Sequence, residues 1–356
     1  MDAETRGLVI RATHAVGRLA GLAEALPGSR LLVEPFLRRE ALLSSRIEGT
    51  ISTMQQLLLF ETDPPDKPSP SNEQEVANYV FAMHYGLEAL GEGRFSLWLV
   101  RELHQILLRN ARSEDRTPGR FRTEQNAIGQ RGHGWEEVRF IPPPPHEVDR
   151  LLRDFEEYAT ALSADLLLPQ LALLHYQFEA IHPFMDGNGR VGRILITLLL
   201  CKHGYLPTPS LYLSGYFDRH RGQYLDRLLQ VSQRGDWKGW LDFFLRGVSV
   251  QATDAIRRSQ QLLTLQKEYH ERVHGTRTSV LLAHLIDNLF EWPATTSTRA
   301  QQTLGVTAPT ARNTINRLVT LGILVEVTGK DRRRIYFAPE IIDIVEAPEV
   351  EQEALP

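Results

Sequence analysis

Residues 181–193 read Ile-His-Pro-Phe-Met-Asp-Gly-Asn-Gly-Arg-Val-Gly-Arg and join two segments of helical periodicity, residues 171–181 and 191–203. The segment is too short and too rich in glycine to continue either helix, so we predict a loop that leads into the second helix. Gly187 and Gly189 allow backbone conformations that other residues avoid, and free N–H groups at a helix N-terminus attract anions. The sequence therefore predicts an anion site between two helices.

The side chains of this loop add further chemical functions. Arg190 and Arg193 are expected on one side of the second helix, where two guanidinium groups can bind phosphate oxygens. Asp186 is a hard oxygen donor of the kind that Mg²⁺ uses beside phosphates. His182, with a reference pKa of about 6.5, can accept a proton from a hydroxyl at neutral pH. Together they predict a site that binds phosphates with Mg²⁺ and activates a hydroxyl.

Two other interpretations fit parts of the loop. Residues 187–192 match the dinucleotide fingerprint GxGxxG, but that motif requires a preceding β-strand and here a helical segment precedes it. A structural loop with a helix-capping aspartate and a buried histidine would explain each residue separately. The combination of a base, an acid, glycines and arginines favours a catalytic phosphate site over a dinucleotide fingerprint or a purely structural loop.

The loop resembles the signature of Fic-domain proteins, HPFx[DE]GNGRxxR, at every defined position. Residues 119–122 and 211–231 also resemble parts of bacterial Fic proteins, so the likeness covers roughly residues 30–250. At Tyr224-Leu225 many relatives have two tyrosines, and this departure weakens the transfer of nucleotide-base contacts to that stretch. The resemblance implies a mainly α protein, a Fic-type helical bundle with a small β-hairpin flap.

The resemblance also implies an activity, the transfer of AMP from ATP to a Ser, Thr or Tyr hydroxyl of a target protein or of the chain itself. His182 would deprotonate the hydroxyl, Asp186 would hold Mg²⁺, and Phe184 would anchor the loop in the core. Phosphate binding is implied for Gly187, Asn188, Gly189, Arg190 and Arg193, with Asn188 bonding an α-phosphate oxygen and the two arginines holding the outer phosphates.

An N-terminal segment is a candidate regulator of this site. Residues 35–49 have helical periodicity and end in Ser-Ser-Arg-Ile-Glu-Gly, in which Ser44 and Glu48 share a helix face. With Gly49, these residues resemble the family's inhibitory motif, and Glu48 would then pair with Arg193 and occupy the position that a γ-phosphate needs. Taken alone, the pattern is also that of an ordinary helix end. We therefore expect a self-inhibited adenylyltransferase.

Other functions fit the same residues. Fic relatives also transfer other phosphate-containing groups or remove AMP, and removal would give Glu48 a role in orienting water. A protein of another class, a DNA-binding regulator, could use the site to sense nucleotide without transfer. Residues 130–145 resemble the family's flap, which binds a target segment by strand addition, but an exposed polar loop has the same pattern.

The C-terminal part has a different pattern. Residues 276–337 show three short helices and two β-type runs, 323–327 and 334–337, with eight basic against four acidic residues. The order resembles a winged helix-turn-helix with residues 308–321 as recognition helix and 330–334 at the wing tip. Such domains bind DNA or dock proteins, and both stay open. The candidate DNA contacts are Thr310, Arg312, Asn313, Asn316, Arg317, Arg332, Arg333 and Arg334.

Composition limits the remaining possibilities. The chain has 356 residues with 42% hydrophobic and 24% charged residues, as in globular proteins, and its net charge of −4 by itself favours neither nucleic acid nor membrane. Cys201 is the single cysteine and is expected to pack as a small hydrophobe. Residues 1–12 lack the apolar stretch of a secretory signal, and the apolar runs are too short to span a membrane. We expect a cytoplasmic protein and leave a homodimer open.

The loops divide the chain into four predicted regions. These are an N-terminal helical region with the inhibitory helix at 1–115, the Fic core and following helices at 116–275, a winged helix-turn-helix at 276–340, and an acidic tail at 341–356. The acidic end, Glu340 to Pro356, is expected to fray because it carries several glutamates and few large apolar residues beyond Val345.

Overall fold

The computed structural model is mainly helical. It describes residues 1–25, 30–65, 69–93, 95–111, 117–129, 138–275 and 279–349. The helices are α1 (Ala3–Ala25), α2 (Arg30–Ile47), α3 (Met54–Thr62), α4 (Asn72–Glu92), α5 (Leu97–Leu107), α6 (Pro145–Thr160), α7 (Leu167–Ile181), α8 (Asn188–Lys202), α9 (Ser214–Arg219), α10 (Arg221–Arg234), α11 (Trp237–Val273), α12 (Ser279–Glu291), α13 (Ser297–Leu304), α14 (Ala308–Thr320) and α15 (Pro339–Glu346). The strands are β1 (Ile128–Gly129), β2 (Val138–Phe140), β3 (Ala294–Thr296), β4 (Val325–Glu326) and β5 (Ile335–Phe337).

Helix α8 lies at the centre of the bundle. Its residues 188–200 are all buried, and it packs against α2, α4, α5 and α7. It begins at Asn188, three residues before the predicted start at 191, because Gly187 adopts a left-handed conformation (φ 77°) that turns the chain directly into the helix. The predicted loop is therefore short and rests on a rigid, buried helix.

Helix α2 carries the N-terminal candidate motif towards α8. It begins at Arg30 rather than near residue 35, so Pro35 lies within the helix. Glu48 and Gly49 follow the last helical residue in a turn, in which Glu48 N donates to Ser45 O at 3.1 Å. Gly49 has a φ of 92°, which a side chain would oppose. The turn stops the helix and leaves Glu48 next to the start of α8.

The predicted flap is described only at its base. Strands β1 and β2 pair antiparallel, with Ile128 opposite Phe140 and Gly129 opposite Val138. Strand β2 lies within residues 130–145, the segment that resembles the flap. The tip, residues 130–137, lies outside the described residues.

The C-terminal part contains helices α12 to α14 and a three-stranded antiparallel sheet of order β3-β5-β4. The predicted helix at 308–321 is α14, and both predicted strands are present in shorter form as β4 and β5. Strand β3 was not predicted because three residues are too few to show alternation; it pairs with β5 through Thr295 opposite Tyr336. Residues 276–278, with Arg277, lie outside the described part.

The frayed tail is a wrong prediction for its first half. Helix α15 buries Ile341, Ile342 and Val345, three apolar residues at helical spacing within an acidic segment. Arg258 of α11 donates to the carbonyls of Ile344 and Ala347 at 2.6 and 2.7 Å, which fixes the end of α15. Residues 350–356 lie outside the described range.

The four predicted regions share one contiguous hydrophobic cluster that extends from Leu8 to Val345, so their boundaries remain predictions. Helix α1 packs along α11, which joins the N-terminal region to the helices that follow the core. Cys201 packs against this cluster as expected, and burial raises its thiol pKa to about 12. Within the residues that the structure describes, no helix is both long and apolar enough to cross a membrane.

Candidate active site

The loop between α7 and α8 is anchored by an aromatic stack. Phe184 is fully buried, as predicted, and stacks on the ring of His104 with centroids 3.7 Å apart. His104 Nδ1 accepts from Gly119 N, and its Nε2 lies 2.9 Å from the carbonyl oxygen of Asp186, so the ring proton belongs on Nε2. Burial lowers the pKa of His104 to about 4, which keeps the ring neutral at pH 7. No sequence pattern indicated this support from α5.

A second support comes from residues 117–129. Arg122 N donates to Pro183 O at 2.8 Å, and Arg122 Nε donates to His182 O at 2.9 Å. Asn126 Nδ2 donates to Phe184 O at 2.9 Å. These bonds stabilise a left-handed backbone at His182 (φ 49°), which is unfavourable for a residue other than glycine.

His182 has the protonation state that a base requires. Its Nδ1 lies 3.3 Å from the carbonyl oxygen of Glu179, so Nδ1 carries the proton and Nε2 keeps a free lone pair. Burial lowers the pKa of His182 to about 4, so the ring is neutral at pH 7. The residue as a whole is partly exposed. The geometry allows proton transfer to Nε2.

The N-terminus of α8 offers backbone donors to an anion. Gly187 occupies the N-cap, and no side chain caps the helix, so the N–H groups of the first turn have no capping acceptor. A methyl group at Gly189 would collide with the Glu48 carboxylate and stand 2.8 Å from Arg193 Nη1. Glycine at position 189 therefore permits close approach of an anion to the backbone.

The side chain of Asn188 binds the backbone of its own loop. Its Oδ1 accepts from Phe184 N and its Nδ2 donates to Phe184 O, each at 2.9 Å, and the side chain is buried. Both ends of the amide therefore close the loop on itself, because an amide matches a backbone N–H and C=O together. The predicted bond from Asn188 to an α-phosphate oxygen stays a prediction.

Arg193 is buried, and the N-terminal motif binds its Nε and Nη2 atoms. Its Nε donates to Ser44 Oγ at 2.8 Å, and its Nη2 donates to Ser44 O at 3.0 Å and to Glu48 Oε1 at 2.7 Å. The predicted pairing of Glu48 with Arg193 is therefore present. Burial alone would raise the pKa of Glu48, but the Arg193 charge lowers it below its usual value, so the carboxylate is ionised at pH 7. An external anion can reach this guanidinium nitrogen only by displacing Glu48.

Arg190 is held by carboxylates within the protein. Its Nη1 lies 3.2 Å from Glu75 Oε2 and its Nη2 lies 3.8 Å from Asp186 Oδ2. Thr50 Oγ1 donates to the same oxygen of Glu75 at 2.9 Å. The Nε of Arg190 is buried without a hydrogen-bond partner among the described residues. Arg190 therefore fixes the loop against α4, and Glu75 is a residue of the site that the sequence did not indicate.

The loop provides one carboxylate for a metal ion. In the described ranges, no group of three or more His, Cys, Asp or Glu side chains is arranged to hold a metal. Asp186 is partly exposed at the loop. Mg²⁺ is commonly bound through one or two carboxylates together with substrate phosphates and water. The donor set therefore fits a Mg²⁺ ion that is bound jointly with a nucleotide.

A cavity of about 580 Å³ opens beside the loop, between the Glu48 turn, the β1–β2 pair, α7 and α10. Its lining is mixed: Glu48, Glu179, Arg193, Arg139 and Arg221 are charged, whereas Ile128, Ala180, Leu225 and Leu228 are apolar. Tyr224 also lines the cavity, but its hydroxyl lies 2.9 Å from His175 Nε2 and is thereby engaged. A cavity that combines apolar residues with arginines suits a nucleoside phosphate.

The candidate DNA contacts lie on α14 and on the turn between β4 and β5. Arg312, Asn313, Asn316, Arg317 and Arg332, Arg333 and Arg334 are exposed, and Thr310 is partly exposed. A cleft of about 740 Å³ lies between this surface and the end of α3, and it has Glu61 and Asp63 among its lining residues. Lys330 Nζ is 3.7 Å from Asp63 Oδ2. Part of the expected DNA surface therefore shares a cleft with the acidic residues Glu61 and Asp63, which the sequence did not predict.

Comparison with known proteins agrees with this arrangement. The model of the Fic/DOC family N-terminal region matches residues 7–88, and the Fic/DOC family model matches residues 94–200. The Protein adenylyltransferase Fic of Aedes aegypti is 32% identical over 203 residues, which cover 55% of this chain and 37% of that protein. The protein of the same name from Drosophila mojavensis is 30% identical over 204 residues with the same coverage. The chain thus spans little more than a third of the length of these curated relatives.

Solved structures show the same fold. A Fic family protein from Desulfovibrio desulfuricans G20 aligns over 95% of this chain and 96% of its own, with a TM-score of 0.59 at 22% identity. Fic-1 from C. elegans aligns over 70% of this chain and 72% of its own, with a TM-score of 0.55 at 20% identity. The two family models together cover more than half of the sequence, including the loop that joins α7 to α8. The chain belongs to the Fic/DOC family.

Proposed function

We propose that the protein is a self-inhibited adenylyltransferase that moves AMP from ATP to a Ser, Thr or Tyr hydroxyl of a target protein or of itself. The observation that carries this proposal is the arrangement at the start of α8, where His182 precedes an uncapped helix N-terminus and Gly189 and Arg193 of that helix line a cavity of about 580 Å³. One site thus combines a base, an anion site and space for a nucleoside. The names of the curated relatives support the same activity.

The chemistry follows from these positions. The hydroxyl oxygen attacks the α-phosphorus of ATP, the bond from that phosphorus to the pyrophosphate oxygen breaks, and the hydroxyl proton passes to His182 Nε2. The N–H groups in the first turn of α8 stabilise the charge on the α-phosphate oxygens. Asp186 would hold the Mg²⁺ ion that accompanies the nucleotide, and the ion would neutralise phosphate charge.

Self-inhibition is the second part of the proposal. The Glu48 carboxylate lies 2.7 Å from Arg193 Nη2, the nitrogen that a terminal phosphate would need. Ser44 makes the other two bonds to Arg193, so the guanidinium keeps its orientation when Glu48 leaves. Glu48 and a γ-phosphate therefore compete for one position. ATP bound beside an engaged Glu48 cannot place its outer phosphates on Arg193.

Labelled ATP tests both parts. The full chain, as wild type, as Glu48→Gly and as Glu48→Gly combined with His182→Ala, is incubated with α-labelled ATP, Mg²⁺ and cell lysate. We expect strong protein labelling by Glu48→Gly, weak labelling by wild type and none by the double variant. Absence of label with Glu48→Gly would refute the transferase, whereas equal labelling by wild type and Glu48→Gly would refute only the inhibition. Release of AMP from a pre-labelled protein, with Glu48 required, would support the removal reaction instead.

We further propose that residues 279–337 form a winged helix-turn-helix that binds DNA. The support is the order α12, β3, α13, α14, β4 and β5, together with the exposed arginines on α14 and on the β4–β5 turn. The alternative function, a nucleotide-sensing DNA-binding regulator without transfer, rests on the same surface.

Two further predictions concern location and assembly. We predict a cytoplasmic location, which the single cysteine supports and cell fractionation would test. We also predict a homodimer, which sedimentation would test.

A further inference from the structure

The turn that follows α2, residues 46–50, presents Glu48 to Arg193. Its backbone is closed by a hydrogen bond from Thr50 N to Ser45 O at 3.0 Å. The Glu48 carboxylate makes one hydrogen bond among the described residues, from its Oε1 to Arg193 Nη2, and its side chain is 32% exposed. The position of the turn as a whole therefore decides whether the carboxylate stays on Arg193.

Two contacts from α9 and α10 hold the turn on one side. Arg46 donates from Nε and Nη2 to Asp218 Oδ2 of α9, at 3.0 and 2.5 Å. Arg221, the first residue of α10, donates from Nε to the carbonyl oxygen of Ile47 at 3.1 Å. A cation at a terminal helix carbonyl is stabilising, because the C-terminal end of a helix carries partial negative charge. The last turn of α2 is therefore tied to α9 and α10 directly before Glu48.

Contacts from α4 hold the turn on the other side. Thr50 Oγ1 donates to Glu75 Oε2 at 2.9 Å, and the same oxygen accepts from Arg190 Nη1 at 3.2 Å. One residue further along the chain, Asn72 Nδ2 donates to the carbonyl oxygen of Ile51 at 2.6 Å. The threonine hydroxyl thus links the turn to a carboxylate that a buried arginine already fixes. The inhibitory carboxylate lies between two attachments that come from different helices.

These attachments contribute little to the packing of α2. The helix is held in the core by its own buried residues, among them Phe36, Leu37 and Ala41. The Arg46 side chain is 54% exposed, and Thr50 is partly exposed. What the attachments restrict is the freedom of the turn. A segment that is already ordered loses less conformational freedom when it forms a contact, so its contact is stronger.

We propose that Asp218 and Thr50 are positioning residues that hold the inhibitory turn against Arg193. The two attachments together set the fraction of molecules in which Glu48 has left. This inference rests on the proposed self-inhibition. When an attachment is lost, Glu48 leaves more often, and ATP can then place its γ-phosphate on Arg193. Because transfer requires that state, its rate follows the fraction.

Two substitutions remove the attachments with small changes in shape. Thr50→Val deletes the hydroxyl at similar volume, and Thr50→Ser keeps it. Asp218→Ala removes the carboxylate and leaves its partner, an exposed arginine, in solvent. Asp154→Ala is the matched control, since Asp154 pairs with Arg150 at 3.1 Å on the surface of α6, a helix that carries no part of the turn. Each variant is made in the full chain, both with Glu48 present and in the Glu48→Gly background.

Protein labelling by α-labelled ATP with Mg²⁺ is the readout, and ADP affinity and circular dichroism verify that each variant keeps the site and the fold. With Glu48 present, we expect Thr50→Val and Asp218→Ala each to raise labelling about two- to fivefold, the range for single exposed polar contacts. The double variant should show about the product of the two increases. Thr50→Ser and Asp154→Ala should label like wild type. In the Glu48→Gly background none of them should change the rate, because no carboxylate remains to be positioned.

Three labelling results would contradict the inference. Increases of the same size in the Glu48→Gly background would overturn it, since both residues would then act on the site without the turn. Unchanged labelling by the double variant, while Glu48→Gly raises it, would overturn the inference and leave the self-inhibition standing. Equal labelling by Glu48→Gly and wild type would refute the self-inhibition and the inference together.

A calorimetric readout covers failure of the transferase itself. If Glu48→Gly labels no protein, the transferase is refuted, and the ratio of ATP to ADP affinity then tests the turn alone. The ratio should be higher in the double variant of Thr50→Val and Asp218→Ala than in wild type, because more molecules offer Arg193 to the γ-phosphate. Equal ratios would overturn the inference.

Discussion

Two arginine clusters face carboxylates in this protein, and they differ in burial. Arg190 and Arg193 are buried, and each is bound by a carboxylate of the protein itself. Arg332, Arg333 and Arg334 are exposed and share an open cleft with Glu61 and Asp63. Removing one partner of a buried ion pair is costly, so only an anion of matching geometry can replace Glu48. Ion pairs between exposed side chains are weak, and salt screens them. Arginine therefore selects an anion by its shape at the buried site, whereas at the exposed cleft it attracts an anion by charge alone.

The largest expected effect is on the buried site. His182→Ala in the Glu48→Gly background should reduce AMP transfer by about 10² to 10⁴, because it removes the general base. Nucleotide affinity should change little, since the N–H groups of α8 and the cavity remain. Transfer rates and ADP affinity measured on the same preparation check both statements. Turnover that survives this substitution would exclude His182 as the base.

The next effect concerns Arg193 and Glu48 together. Glu48→Gly should raise transfer roughly 5- to 150-fold, the range of about 1 to 3 kcal/mol that is typical of coupling between sites. Arg193→Ala in that background should abolish the gain, because the freed guanidinium is what the γ-phosphate uses. The two substitutions should be strongly non-additive in a double-mutant cycle of transfer rates. Additive effects would mean that the observed contact between them has no regulatory role.

The exposed cluster should respond to salt rather than to shape. Replacing Arg332, Arg333 and Arg334 by Gln should weaken binding to DNA fragments and lower the slope of log affinity against log salt by about 0.9 for each phosphate that the protein no longer neutralises. Arg153→Gln, at an exposed position on α6, is the control and should leave the slope unchanged. If the intact protein has no affinity for DNA even at low salt, the C-terminal part is a protein-docking module.

A smaller effect of pH distinguishes the buried site further. Because the pKa of His182 is lowered to about 4, the transfer rate of Glu48→Gly should stay constant from pH 7 to pH 5 and fall only below that. A fall centred near pH 6.5 would indicate an unperturbed histidine. Since the lowered pKa means that the unfolded state binds the proton more readily, the contribution of His182 to stability should be lost as the pH falls from about 6.5 towards 4. Denaturant midpoints across that range measure this loss.

The sequence predicted the parts of the site that are contiguous or have a recognisable pattern. The short loop between α7 and α8, the burial of Phe184 and the pairing of Glu48 with Arg193 agree with the structure. The sequence did not predict the partners that folding brings in from other helices. Neither His104 below Phe184 nor Glu75 beside Arg190 belongs to a motif, because each acts through a contact with a segment distant in the sequence.

Other differences arise where local patterns are weak or have two uses. An asparagine in a glycine-rich loop can reach a ligand or close its own backbone, and the structure shows that Asn188 does the latter. Helix α15 was missed because it is short and lies at the start of an acidic segment, although three of its apolar side chains are buried at helical spacing. Strand β3 is defined only by its pairing with β5. In each case tertiary contacts decide between local alternatives that the sequence leaves open.

Competition between Glu48 and the γ-phosphate for Arg193 is tested most directly by the affinity for ATP relative to ADP. This ratio can be measured by calorimetry with Mg²⁺ in wild type and in Glu48→Gly. Wild type should bind ATP and ADP about equally, because the γ-phosphate gains no contact, whereas Glu48→Gly should prefer ATP by about tenfold or more, the worth of one charge-assisted contact. A ratio of ATP to ADP affinity that is the same in both proteins would contradict the competition.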